Sequence, residues 1–286
     1  MRSTKSASSS SPERRRPRKG RALLPLKDLD PRGLSVIFAD IDDTITTDGR
    51  LEPAAFKALW SLHEAELAVV PVTGRPAGWC DHFARMWPVS GVIGENGAFY
   101  FRYDQRRRHL DQHYLLSAKA RARLQVRLQK VRDQILAQVP GSAVASDQPY
   151  RIHDLAIDFC EDVKRLPPAS IDRIVALFQK AGATAKVSSI HVNGWFGDYD
   201  KLSMMKTFAW EILGLRLDEA KDRRRALYVG DSPNDEPAFA FFERAVGVAN
   251  VRDFEDRLKH PPRYVTRARA GAGFAELARY LLRSRS

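Results

Sequence analysis

The chain switches between short, wholly apolar runs and longer stretches whose apolar residues recur at helical spacing. Residues 35–40 read Ser-Val-Ile-Phe-Ala-Asp, the pattern of a strand buried on both faces of a parallel sheet. Over 53–66 the apolar positions Phe56, Leu59 and Trp60, with Leu67 just beyond, define one helix face, and Pro53 suits a first helical turn. A second buried strand follows at 68–72, a helix at 79–87 and a third short strand at 91–94. Strand, helix, strand, helix, strand predicts a parallel sheet with right-handed crossovers.

After Gly97 the pattern changes. Residues 98–103 and 108–114 predict a hairpin around Asp104-Gln105-Arg106. A long basic helix follows over 117–139, with Leu124, Leu128, Val131 and Ile135 on one face. Residues 155–160 alternate as a half-buried strand, 171–181 form an amphipathic helix, and 184–192 are strand-like. This order of hairpin, helices and strands predicts an α+β insert. Regular alternation returns at Lys201, with helices over 201–213, 236–242 and 273–282 and strands over 226–230, 245–248 and 264–266. The expected fold class is therefore α/β: a Rossmann-like parallel sheet core built from 34–97 and 196–286, with an inserted α+β cap domain over 98–195. Residues 1–20 are Ser-rich and then Arg/Pro-rich, too poor in apolar side chains to offset the entropy of ordering. A disordered basic tail is expected over 1–33.

Charge sharpens this division. The net charge of +12 is concentrated in 1–33, with ten Lys/Arg against three Asp/Glu, and in 98–195, with sixteen against nine. The remainder is near neutral, so the basic excess belongs to a tail and an insert. Aromatic residues are not interleaved with the Arg-rich tail, as stacking platforms for nucleic acid would be, so nucleic acid is not the expected partner. No apolar run approaches the roughly 20 residues that span a bilayer, so no membrane partner is expected. Two cysteines, Cys80 and Cys160, far apart and outside any CxxC pair, argue against a disulfide framework or a cysteine zinc site and make a reducing cytoplasm the expected location.

Four short segments carry candidate chemistry. Asp40-Ile41-Asp42-Asp43-Thr44 stands just past the first strand, where open α/β sheets place ligands and catalysts. Two carboxylates two residues apart can divide the work: one attacks phosphorus, the other protonates the leaving oxygen and later activates water. An acidic turn is the plain alternative. Thr73-Gly74-Arg75, at the end of the second strand, offers a hydroxyl and backbone N–H groups to phosphate oxygens. Lys201, at a helix start, could neutralise a carboxylate–phosphate cluster. Gly230-Asp231-Ser232-Pro233-Asn234-Asp235 gathers hard oxygen donors at another strand end, which suits Mg²⁺.

Together these segments resemble the haloacid dehalogenase superfamily of phosphotransferases in order, placement and residue type. The 127 residues between Thr73 and Lys201, with Glu95-Asn96-Gly97-Ala98 at the entrance of that stretch, resemble the Cof-like branch, which carries a large cap after the second motif and includes phosphatases of sucrose, trehalose and mannosylglycerate phosphates. The resemblance implies that Asp40 is the nucleophile and Asp42 the general acid/base. It implies Mg²⁺ held by Asp40, Asp42 and Asp231, with Asn234 and Asp235 completing the metal site. Thr73 and Lys201 would hold phosphoryl oxygens, with Gly74, Arg75 and Asn96 beside them. Asp43 stands where many members have glycine. The expected function is Mg²⁺-dependent hydrolysis of a small phosphate monoester, a sugar phosphate, through an aspartyl-phosphate. A phosphosugar mutase and a non-catalytic binder of anionic surfaces or nucleic acid are the alternatives. In the insert, alternation over 187–195 puts Ser189, His191 and Asn193 on one strand face, a candidate substrate surface to which Arg151 or Arg75 could add positive charge.

Overall fold

A computed structural model describes residues 23–188 and 190–284. In chain order the elements are β1 (Leu24–Pro25), β2 (Val36–Ala39), α1 (Pro53–Glu64), β3 (Ala68–Pro71), α2 (Ala77–Met86), β4 (Val92–Gly94), β5 (Phe99–Asp104) and β6 (His109–Tyr114). Next come α3 (Ala118–Gln138), β7 (Ala143–Val144), β8 (Leu155–Asp158), α4 (Pro168–Lys180), β9 (Thr184–Val187) and β10 (His191–Trp195). The chain ends with α5 (Lys201–Leu213), α6 (Ala220–Arg223), β11 (Ala226–Gly230), α7 (Glu236–Phe241), β12 (Ala245–Gly247), β13 (Tyr264–Val265) and α8 (Ala270–Arg283).

Six strands form one parallel sheet in the order β1-β13-β12-β11-β2-β3. Every residue of β2 and β11 is buried, and their apolar side chains serve both faces. Ile37 and Leu227 pack with Leu59 of α1 and Phe274 of α8. Phe38 and Tyr228 pack on the other side with Met205 and Phe208 of α5. The chain moves from β2 to β3 in one direction and from β11 through β12 to β13 in the other. The strand order therefore reverses between β2 and β11, and a crevice opens at their carboxyl ends.

A second sheet, β7-β8-β10-β9, is antiparallel. Ile157 and Val192 on one of its faces pack against Leu128, Val131 and Ile135 of α3 and Ile174 and Phe178 of α4. His191, Asn193 and Lys186 share the opposite face, since Asn193 pairs directly with Lys186.

Three local expectations change. The β5–β6 hairpin, assigned to the insert from its pattern, pairs with β4 in a three-stranded antiparallel sheet. Phe99 and Phe101 join the core cluster around Phe83 of α2, while Tyr100 meets Phe208 edge-on. Both faces of the hairpin are thus covered by core helices, and β4 meets the parallel sheet through one bridge, Val72 to Ile93. The expected disorder up to residue 33 is also corrected. Leu26, Leu29 and Leu34 are buried, β1 extends the sheet edge, and the Tyr280 hydroxyl donates to the Leu29 carbonyl at 2.6 Å. Residues 1–22 of the expected tail lie outside the described residues. Finally, the strand expected over 184–192, and its continuation to 195, is a hairpin of β9 and β10. The Ser188 hydroxyl accepts the His191 N–H at 2.9 Å, a side-chain turn that ends β9. Ser189 lies outside the described residues. Among the described residues no helix is long and apolar enough to cross a membrane.

Candidate active site

Asp40 leaves the end of β2 with its N–H on the Val229 carbonyl of β11, so the central strand pair sets its position. Asp231 directly follows the end of the adjacent strand β11. Lys201 opens α5, whose first turn is fixed by a reciprocal cap between Asp200 and Ser203. The Lys201 Nζ lies 2.6 Å from Asp40 Oδ1 and 3.5 Å from Asp235 Oδ1. Oxygens of Asp40, Asp231 and Asp235 fall within 4.8 Å of one another, and all three residues are buried.

Such a cluster is electrostatically costly. Burial pushes the Asp40 carboxyl up to about 7, against the opposing pull of Lys201 and with added repulsion from Asp235 and Asp42. Burial and the neighbouring Asp235 and Asp40 push Asp231 up to about 9. Lys201 is also buried, but attraction to Asp40 and Asp235 outweighs that and raises it. Ionised together, the three buried carboxylates would exceed the charge of the single lysine, and their hard oxygens fit a divalent cation such as Mg²⁺. Asp235 is the least free of the three. Its Oδ2 accepts the N–H groups of Asp231 at 2.9 Å and Ser232 at 3.2 Å, and its Oδ1 accepts the Tyr228 hydroxyl. It therefore shapes the Asp231 turn and holds Lys201 from behind.

Asp42 and Arg75 form a close pair, with Arg75 Nη2 and Nε at 2.7 Å and 3.0 Å from Asp42 Oδ1 and Nε at 3.1 Å from Oδ2. Expected to face phosphate, Arg75 instead holds the second carboxylate of the first motif. Thr73 is fully buried, and its Oγ1 accepts the Arg75 N–H at 3.0 Å, which tightens the Gly74 turn and leaves its hydroxyl hydrogen to donate. Asp43 has φ +55°, a backbone position that glycine favours and aspartate tolerates, and the Asn250 amide donates to its carbonyl at 2.9 Å.

A cavity of about 380 Å³ opens above these groups. Asp40, Asp42, Gly74, Arg75, Asn96, Lys201, Asp231 and Asn234 line it from the core, and His191 and Asn193 line it from the insert. Thr73 and Asp235 stand behind the wall. Asn234, expected at the metal, turns its Nδ2 to the Val187 carbonyl of β9 at 3.0 Å and so ties the core loop to the insert. Asn193 donates to Asp154 at 3.0 Å. His191 Nε2 lies 2.8 Å from Glu161 Oε2, and burial lowers the imidazole's affinity for a proton against that carboxylate's pull. Arg151 is fully engaged by Asp147, Asp154 and the Gly74 carbonyl.

The sequence marks Glu95 as part of a motif but gives it no role. Its buried carboxylate accepts N–H groups from Ala77 at 3.0 Å, Ile152 at 2.9 Å and Asp154 at 3.3 Å, and from His153. It clamps the start of α2 to the segment that enters β8. Its place directly before Asn96 was the available signal. Lys186 and Arg257, which also line the cavity, carry no local motif.

Residues 37–155 match the family model of haloacid dehalogenase-like hydrolases. No curated protein matches the sequence. Among solved structures, Thermoplasma acidophilum 0175 aligns with TM-score 0.68 at 16% identity, over 87% of this chain and 98% of that one. The sucrose-phosphatase of Synechocystis, solved with sucrose and phosphate, aligns with TM-score 0.60 at 16% identity, over 87% and 98%. The C-terminal domain of Candida albicans trehalose-6-phosphate phosphatase aligns with TM-score 0.63 at 12% identity, over 87% and 92%. Over residues 37–155 the chain is thus similar to haloacid dehalogenase-like hydrolases, and it shares its fold with these solved structures.

Proposed function

We propose that the protein is a Mg²⁺-dependent phosphatase of a small phosphate monoester, with Asp40 as nucleophile. The observation that carries this reading is the buried cluster of Asp40, Asp231 and Asp235 around Lys201 beneath the 380 Å³ cavity. Asp40, Asp231 and the backbone of Asp42 would hold the cation. When bound, Mg²⁺ offsets the mutual repulsion of the carboxylates and the phosphate dianion.

The chain's own groups supply the rest. Lys201 fixes the Asp40 carboxylate through Oδ1, and its charge favours the negative phosphoryl group in the transition state. An Asp40 oxygen attacks phosphorus while the ester P–O bond breaks, and protonated Asp42 gives its proton to the departing alcohol oxygen. In the second half, ionised Asp42 takes a proton from water. The water oxygen bonds to phosphorus, and the bond from phosphorus to Asp40 breaks to release phosphate. The Arg75 fork holds the Asp42 side chain in position. Thr73 and the Gly74 turn bind phosphoryl oxygens, and Asn96 flanks them. The insert face with His191 and Asn193 contacts the alcohol part, for which a sugar is the proposed identity. The two sugar-phosphate phosphatases of the same fold support that choice by analogy alone.

Phosphate release from p-nitrophenyl phosphate and a panel of sugar phosphates tests the reading. Release that needs Mg²⁺ and stops with EDTA is expected. No release from any ester with Mg²⁺ present would overturn it.

A further inference from the structure

Five cationic side chains line the cavity: Lys201, Arg75, Arg151, Lys186 and Arg257. Three are matched inside the protein. Lys201 lies on Asp40 and Asp235, Arg75 on Asp42, and Arg151 on Asp147 and Asp154. Lys186 and Arg257 form no ion pair among the described residues, and both are exposed. A phosphoryl group at Asp40 already meets Lys201, so the two free cations exceed what the reacting group needs.

Their placement is specific. Lys186 sits opposite Asn193 in the β9–β10 ladder, and directly paired residues share a sheet face. Lys186 therefore projects from the same face as Asn193, toward the cavity. Arg257 comes from the core, three residues past Phe254, which also lines the cavity. The Asn234 amide on the Val187 carbonyl joins the two bodies next to Lys186. The insert and the core each contribute one unpaired cation to a space of about 380 Å³, a size that encloses a whole small molecule.

We propose that Lys186 and Arg257 form a subsite for a second anionic group, a carboxylate or a phosphate, carried on the alcohol part of the ester. This assignment rests on the phosphomonoesterase reading and narrows its substrate class. A plain sugar phosphate leaves both cations unmatched, whereas an ester of a hydroxy acid, or a bisphosphate, engages them. Because one cation belongs to the insert and the other to the core, the second anion also holds the two bodies together over the reacting group.

The test uses the full chain with Mg²⁺ and two matched substrate pairs. Glycerol 3-phosphate against 3-phosphoglycerate isolates the carboxylate. Glucose 6-phosphate against glucose 1,6-bisphosphate isolates the phosphate. In at least one pair kcat/KM should favour the more anionic ester by about ten-fold or more, the discrimination a charge-matched polar subsite supplies. That ratio should fall toward one in Lys186→Ala and Arg257→Ala, survive in Lys186→Arg, and shrink with added salt. Which pair shows it names the second anion. Equal kcat/KM within both pairs, or a preference that persists in the Lys186→Ala/Arg257→Ala double variant, overturns the subsite while leaving the phosphatase reading intact. No release even from p-nitrophenyl phosphate overturns both.

Discussion

Asp231 shows how the site trades stability for chemistry. Its carboxyl is raised to about 9 by burial and by Asp235 and Asp40. A carboxyl raised in the folded state favours folding less as pH climbs from its unfolded value toward the folded one. At neutral pH without a cation, folding must therefore protonate Asp231, and that requirement opposes folding. Asp231→Asn should melt higher than wild type in EDTA, by ~1 kcal/mol, and lose most of the thermal shift that Mg²⁺ gives wild type. A lower melting point in EDTA would show that Asp231 is stabilised by partners other than a cation. At this scale much of the site is legible in sequence, because Asp40 and Asp231 each follow a wholly apolar strand. The Arg75 fork on Asp42 is not, since a TGR segment says nothing about which carboxylate lies across the crevice. Asn234 is likewise a local polar-turn residue whose partner, the Val187 carbonyl, lies in the insert.

At the scale of elements, the fold depends on a few crossings. Gly97 has φ +102°, and a Cβ there would lie 2.1 Å from the Asp200 carbonyl. The exit toward β5 thus passes directly against the residue before Lys201. Gly97→Ala should cost more than about 1 kcal/mol and lower kcat by shifting the start of α5; unchanged melting and kcat would refute that coupling. Leu29, 2% exposed beneath Tyr280, is the counterpart at the sheet edge. Leu29→Ala should lower stability by about 2–5 kcal/mol in urea unfolding, and a change below about 0.5 kcal/mol would mean the segment is not anchored. Both elements were hard to read from sequence for physical reasons. The leucines at 24, 26 and 29 adjoin an Arg-rich stretch, so composition averaged over the tail hides them. The alternation of β5 and β6 reveals strands, but period-two patterning does not say which body covers them.

Across the whole molecule, parallel βα units place Asp40 and Asp231 at the point where strand order reverses, and the insert roofs that point with its polar sheet face. The alternation of βα units made the core legible, and the change of pattern after Gly97 announced a second body. Which side chains meet across the cavity depended on three-dimensional contacts. Glu95 is the clearest case, because its four N–H partners come from α2 and from residues 152–154. The central claim is that one carboxylate, Asp40, takes the phosphoryl group. Turnover of p-nitrophenyl phosphate with Mg²⁺, quenched in acid and followed by peptide mass spectrometry, tests it most directly. One phosphoryl mass on the peptide holding Asp40 is expected, with fragmentation that places it on that residue. Asp40→Asn should give no adduct and no turnover. A phosphoryl group on any other residue, or turnover by Asp40→Asn, would contradict it.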